Sequence, residues 1–237
     1  MRDLNVFFRN SIEDLIFLLD RQYPKKSAIE LVGNRYHLNS DERMVLYRGV
    51  FDWESTVLRK KKCVTLSKVK KVIIDGYNVL ITLESYLMGK WVFRCLDGYV
   101  RDISGMYGNH SMDDFTRKSI LLLIDFFKNA LKRHSAGGQG DVIFLDYPVS
   151  KSGQLAAFMR ECFQKESVNI EVQVVKNPDY NIVEESRAST TAVVASSDTV
   201  ILDRIARSFD IPDYIIREVF HKDIFDLQRI LRKKFIR

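Results

Sequence analysis

From residue 72 onward, short runs of almost wholly apolar residues alternate with helical patterns, and each run stops at a polar, acid-bearing turn. The first is Val72–Ile74, followed by Asp75-Gly76-Tyr77-Asn78. Val142–Leu145 ends in Asp146, Ile170–Val175 leads into Asn177-Pro178-Asp179, and Ala192–Ala195 ends in Ser196-Ser197-Asp198. Strands apolar on both sides, separated by helices, belong to a parallel sheet covered on both faces. The spacing predicts helices over 112–134, 153–165, 181–187, 199–208 and 222–235, and a last short strand over 213–216.

The front of the chain has a different period. Residues 4–22 place Phe8, Ile12, Leu15, Leu18 and Leu19 on one helical face. A second helix is expected over 26–33, stopped by Gly33, and a third from Asn39 to about Gly49, opened by a capping box between Asn39 and Glu42. This pattern is equally that of a helix-turn-helix and of an ordinary three-helix bundle. The expected organisation is a small all-α domain over 1–58, a basic linker over 59–70, and an α/β domain with a basic C-terminal helix over 71–237.

Charge follows the same division. Of 37 Lys and Arg and 31 Asp and Glu, residues 1–71 hold 15 and 9, so the whole net charge of +6 lies before Val72. A basic front half points to a polyanionic partner. Arg59, Lys60, Lys61 and Lys62 are the candidate backbone contacts. The sequence holds 3 cysteines, far apart, which exclude a disulfide framework and a Cys-based zinc site and suit a reducing cytoplasm. The first residues lack the apolar core of a signal peptide, and no run is long enough to span a bilayer.

In a parallel sheet, ligands gather beyond the C-terminal ends of the strands. Asp75, Asp146, Asp179 and Asp198 all belong there. One such acid is an ordinary helix cap; four, each following a different strand, would repel unless a cation lay among them. Mg2+ or Mn2+ takes oxygen ligands and, beside a phosphodiester, activates water and stabilises charge. Gly76 is expected to allow a sharp turn with room for a ligand. Asn78 is expected to hold Asp75 or a phosphate oxygen, and Tyr77 to be core. Ser150, Lys151, Ser152 and Gly153, ahead of a helix, are either caps or a phosphate contact made by Lys151 and Ser152.

The stretches "VIIDGYNVL" and "AVVASSDTVILDRI" resemble the NYN branch of the PIN-like nucleases. The resemblance covers about residues 71–218 and implies a PIN-like three-layer α/β/α fold and metal-dependent cleavage of RNA. It assigns Asp75 and Asn78 to the first motif, Asp146 to the middle acid and Asp198 to the last. The acidic helix many such nucleases carry is matched only loosely by NPDYNIVEESR, leaving Asp179, Glu184 or Glu185 as the fourth ligand. The whole chain also resembles an uncharacterised, mainly archaeal family that joins a helical front domain to such a module.

Other chemistries lack their motifs. There is no GxxxxGK[ST] for a P-loop and no GxGxxG after the first strand. Tyr77 stands where a haloacid-dehalogenase-type phosphatase needs a second Asp. The expectation is a metal-dependent endoribonuclease, cytoplasmic, with RNA as partner and no membrane. The alternatives are a non-catalytic nucleic-acid binder on a degenerate PIN-like fold, and a protein-interaction scaffold. The sequence leaves RNA against DNA, the number of metals and the oligomeric state open.

Overall fold

The computed structural model describes residues 4–103, 112–131, 140–147, 149 and 151–231, with the backbone alone at 4–7. In chain order the elements begin with α1 (Leu4–Asp20), α2 (Lys25–Arg35), α3 (Ser40–Gly49) and α4 (Trp53–Lys62). Then come β1 (Lys71–Asp75), α5 (Gly76–Leu87), β2 (Val92–Arg94), β3 (Val100–Asp102) and α6 (Asp114–Asp125), which a π-helical turn extends to Ala130. After these lie β4 (Val142–Asp146), α7 (Ser152–Lys165), β5 (Glu171–Val175), α8 (Pro178–Arg187), β6 (Ala192–Ala195) and α9 (Thr199–Arg204). The last are α10 (Ile211–Glu218), β7 (Phe225–Asp226) and α11 (Leu227–Leu231). Among the described residues no helix is long and apolar enough to cross a membrane.

The chain forms two compact units. One comprises residues 1–61, 91–103 and 223–237; the other comprises 62–90 and 104–222. The helical front region is present as expected, and two later segments join it. They bring a three-stranded sheet of order β3-β2-β7. Phe93, Cys95 and Leu96 from one segment and Leu227 and Leu231 from the other share a core with Ile12, Leu15, Val32, Val45 and Leu46. Strands of only two or three residues carry no period of their own. The expected helix over 222–235 is accordingly β7 and α11 as far as Leu231; residues 232–237 lie outside the described ones.

The capping box at α3 is complete. Glu42 N donates to Asn39 Oδ1 at 2.9 Å and Asn39 N to Glu42 Oε2 at 2.8 Å. Residues 59–62, read as linker, are the last turn of α4. Lys and Arg are good helix formers, so a basic run continues a helix as readily as it interrupts one. Gly33 does not end α2; it lies inside it, buried beneath the guanidinium of Arg43.

The second unit is α/β, with a four-stranded parallel sheet of order β5-β4-β1-β6. β1 pairs with β4 through Ile74 opposite Ile143, and with β6 through Ile74 opposite Ala195. Side chains alternate along a strand. Val72, Ile74, Ile143, Leu145, Val193 and Ala195 therefore share one face and one core with Leu80, Leu83, Ile120, Leu123, Leu155 and Met159 of α5, α6 and α7. Ile73, Phe144 and Val194 are buried on the opposite face, where α8 crosses β1, β4 and β6. The layers are α/β/α.

The order of the strands has a consequence. The chain steps outward from β1 to β4 and β5, then returns to place β6 on the other side of β1. Neighbouring strands whose connections lead to opposite sides leave a crevice beyond their C-terminal ends. Here those ends are Asp75 and the Ser196-Ser197-Asp198 turn. The strand expected over 213–216 is instead α10: Pro212 stands in its first turn and Asp210 caps it, accepting from Asp213 N at 2.9 Å.

Gly76 opens α5 hard against β4. A Cβ there would lie 2.6 Å from Leu145 Cδ2, 2.8 Å from Ile143 Cγ2 and 2.9 Å from the Phe144 carbonyl oxygen. The glycine is needed for helix-on-sheet packing, and the space expected for a ligand is filled by β4. Gly76→Ala is expected to lower unfolding stability by about 1–3 kcal/mol, the usual cost of an added methyl in a filled core. A urea midpoint equal to that of the wild type would refute this packing role.

Candidate functional site

Alternation decides which strand-end groups meet. Asp75 follows Ile73 on its face, Asp146 follows Phe144, and Ser196 follows Val194, so all three belong to the face on which α8 packs. Asp179 is in the first turn of α8. Pro178 stands at the start of that helix, where its missing N–H costs nothing, and Asn177 caps it, accepting from Tyr180 N at 3.1 Å. The acids after four strands thus gather at one edge and one face.

Asp75 is half-buried, and its contacts join β1 to the β6–α9 turn. Ser196 Oγ donates to Asp75 Oδ2 at 2.9 Å, and Asp198 N donates to Ser196 Oγ at 3.0 Å. Asp75 also caps α5, accepting from Asn78 N at 3.4 Å. Asn78 Oδ1 accepts from both N and Oγ of Ser197, at 2.9 and 3.0 Å. The Asn78 side-chain oxygen therefore holds the β6–α9 turn. Asp198 caps α9, accepting from Val200 N at 2.7 Å.

The four acids act on one another. Burial pushes the Asp75 carboxyl up to about 7; Ser196's hydrogen bond opposes this, and the charges of Asp198 and Asp179 add to it. Asp179 is also raised, by burial and then by Asp198 and Asp146, with Arg204 opposing. Among the described residues, however, no three His, Cys, Asp or Glu side chains stand close enough together to hold one ion.

Glu184 and Glu185 are not part of this group. α8 runs back from the acid edge, so two turns on it reaches the other end of the sheet. There Lys71 Nζ, at the start of β1, pairs with Glu185 Oε1 at 2.5 Å, and Glu184 pairs with Arg187 at 2.7 Å. Of the three candidates for a fourth acid, Asp179 is the one near the others.

The basic candidates separate as well. Arg59 is buried: its guanidinium lies 3.9 Å from Asp97 Oδ2 and 4.6 Å from the centre of the Phe51 ring. Lys62 donates to the carbonyls of Leu202 and Asp203 at the end of α9, at 2.6 and 3.3 Å. Both serve the fold of their own unit, contrary to the expected nucleic-acid role. Lys60 is exposed and bonds Gln228 at 2.7 Å; Lys61 is exposed.

Ser152 is buried. Its Oγ lies 2.6 Å from the carbonyls of Asp146 and Val149 and 2.8 Å from the Tyr77 hydroxyl, so it is a core contact and no phosphate ligand. Tyr77 is core, as expected. Lys151 is exposed, in the left-handed region at φ 64°. Ser150 lies outside the described residues. Two contributors escaped the sequence reading. Ser196 was visible only as part of a turn, and Arg204 only as one charge on a helix.

An α/β protein with an acidic row at the C-terminal edge of a parallel sheet is the class defined here. The chain belongs to the family described as "Domain of unknown function (DUF5616)", whose model matches residues 65–214. A second family model, "Protein of unknown function (DUF434)", matches residues 7–62. The chain is 36% identical over 192 residues to "Uncharacterized protein MJ0935" of Methanocaldococcus jannaschii, covering 80% of this chain and 86% of that one. No solved structure matches it. None of these descriptions states an activity.

The raised carboxyl of Asp75 has a sign that can be measured. The native state holds this proton more tightly than the unfolded chain, so this group's contribution to stability falls as pH rises from about 4 to about 7 and levels above that. Asp75→Asn keeps a capping oxygen and removes the charge. It is expected to stabilise the protein by roughly 1–3 kcal/mol at pH 8 and little at pH 4. An equal effect at both pH values in denaturant titrations would contradict the assignment.

Proposed function

We propose that the second unit is a PIN-like nuclease domain and that the protein is a metal-dependent endoribonuclease. The observation that carries this reading is the gathering of Asp75, Asp146, Asp179 and Asp198 at one sheet edge, with Asp75 and Asp198 joined through Ser196. The acid row and the DGYN and SSD motifs fall at the same place.

The donor set is all carboxylate oxygen, which suits Mg2+ or Mn2+ and disfavours softer metals. The spacing admits no ion held by three of these side chains at once. It fits the habit of Mg2+, which keeps several waters and takes one or two carboxylates together with substrate phosphates. Asp75 and Asp198 are the residues that would hold it, with Asp146 and Asp179 beside them. When bound, such an ion supplies activation of water and charge stabilisation at the phosphodiester.

The chain's own groups have defined parts in this reading. Ser196 orients the Asp75 carboxylate. Asn78 fixes the turn that presents Asp198. The exposed Lys60, Lys61 and Lys151 are left to gather the nucleic-acid backbone, so binding should weaken steeply with salt. The spacing of the acids also favours a second reading, a nucleic-acid binder on a degenerate fold of this kind.

Incubation of single-stranded and structured RNAs with Mn2+, Mg2+ or EDTA separates the two. Cleavage that needs the metal and drops at least about a hundredfold in Asp75→Asn and in Asp198→Asn is expected, given the size of effects at metal centres. RNA binding without cleavage under any metal would establish the binder.

A further inference from the structure

Tyr147 and Tyr180 are the two most exposed large hydrophobic side chains among the described residues, at 65% and 61%. Both adjoin the acid row. Tyr147 leaves β4 one residue after Asp146, and Tyr180 follows Asp179 in the first turn of α8. Single exposed aromatics are ordinary on a protein surface. That the two extremes each stand beside a different acid of one site is a different observation.

Their backbones are held while their side chains are not. Tyr147 N donates to the Val175 carbonyl at 2.8 Å, extending the β4–β5 pairing one residue past Asp146. Tyr180 N donates to Asn177 Oδ1 at 3.1 Å. Among the described residues neither ring stacks on another ring or cation, and neither hydroxyl is hydrogen-bonded. Their neighbours along the chain are polar: Asp146, Asp179, and the exposed Lys151, Lys176 and Asn177. A flat aromatic ring among acids and cations is poorly suited to an apolar protein partner. It suits a ligand that alternates aromatic faces with phosphates, and every nucleobase offers such a face.

We propose that Tyr147 and Tyr180 are base-stacking residues, which take unpaired nucleobases of a strand whose phosphate lies at the acid row. This rests on reading that row as a nucleic-acid site, and it deepens that reading by naming the substrate as a strand whose bases are free to turn outward. In a duplex the bases are stacked on each other, and the two rings gain nothing.

The test is binding, read by fluorescence anisotropy of an end-labelled RNA of about ten nucleotides, single-stranded or annealed to its complement. Ca2+ replaces Mg2+ or Mn2+ so that binding is read apart from cleavage. Each stacked base contributes about tenfold in affinity, so Tyr147→Ala with Tyr180→Ala should weaken single-strand binding by up to about a hundredfold and leave duplex binding unchanged. Tyr147→Phe with Tyr180→Phe keeps both rings and should bind the single strand like the wild type. Wild-type single-strand affinity in the double alanine variant would overturn the proposal. So would equal losses for single strand and duplex, loss in the double phenylalanine variant, or no single-strand binding by the wild type. Cleavage is not read, so a failure of the nuclease reading shows itself separately, as intact RNA with Mn2+ or Mg2+.

Discussion

The hydrogen bond from Ser196 to Asp75, 2.9 Å long, ties together the C-terminal ends of β1 and the edge strand β6. Much of the second unit is arranged around it. β1 and β6 are parallel neighbours whose chains leave toward opposite layers. The Asn78–Ser197 pair repeats the link one residue on. Each of these polar groups lies at the edge of an apolar interior, where an unpaired carboxylate or amide would be costly. The pairing offsets part of that cost, and the remainder appears as the elevated proton affinity of Asp75.

Such a site is a source of instability that the rest of the fold carries. Two apolar layers enclose a sheet whose central residues Ile73, Ile74, Val193 and Val194 are fully buried or nearly so. Gly76 lets α5 lie directly on β4, so the helix start that Asp75 caps is fixed by packing as well as by hydrogen bonds. Like-charged groups held together by a rigid frame are characteristic of functional sites, because a fold selected for stability alone would disperse them. In the first unit the buried charges are instead paired: Arg101 and Asp97 form a bidentate contact, both bonds at 2.8 Å.

The basic run at 59–62 shows how tertiary context reassigns charge. By composition its members are equivalent. In the structure Arg59 is enclosed beside Asp97 and Phe51, Lys62 closes the end of α9, and Lys60 and Lys61 face solvent. Long side chains bury their aliphatic stems along apolar surface and place the charge wherever a partner waits. Counting charges along the chain cannot distinguish these fates. The same holds for Glu184, Glu185 and Asp179, which lie within one helix: the direction of α8 across the sheet puts one end at the acid row and the other beside Lys71.

Strands at β1, β4, β5 and β6 were legible because burial on both faces demands short apolar runs, and their acids because polar groups must stand where such runs end. The helices of the front region were legible from their period, except α4, hidden in a charged sequence with little apolar face. Short β2, β3 and β7 carry no pattern, and α10 was obscured because Asp213–Ile216 is short and apolar enough to read as strand. The sequence by itself determined that this chain has a parallel α/β unit with acids at its strand ends, since alternation and burial are local demands. Only the tertiary structure decided that β6 returns beside β1, that Asp179 and not Glu184 or Glu185 joins the row, and that Ser196 binds Asp75. Those facts depend on strand order and helix direction, which are settled by the packing of segments more than 100 residues apart.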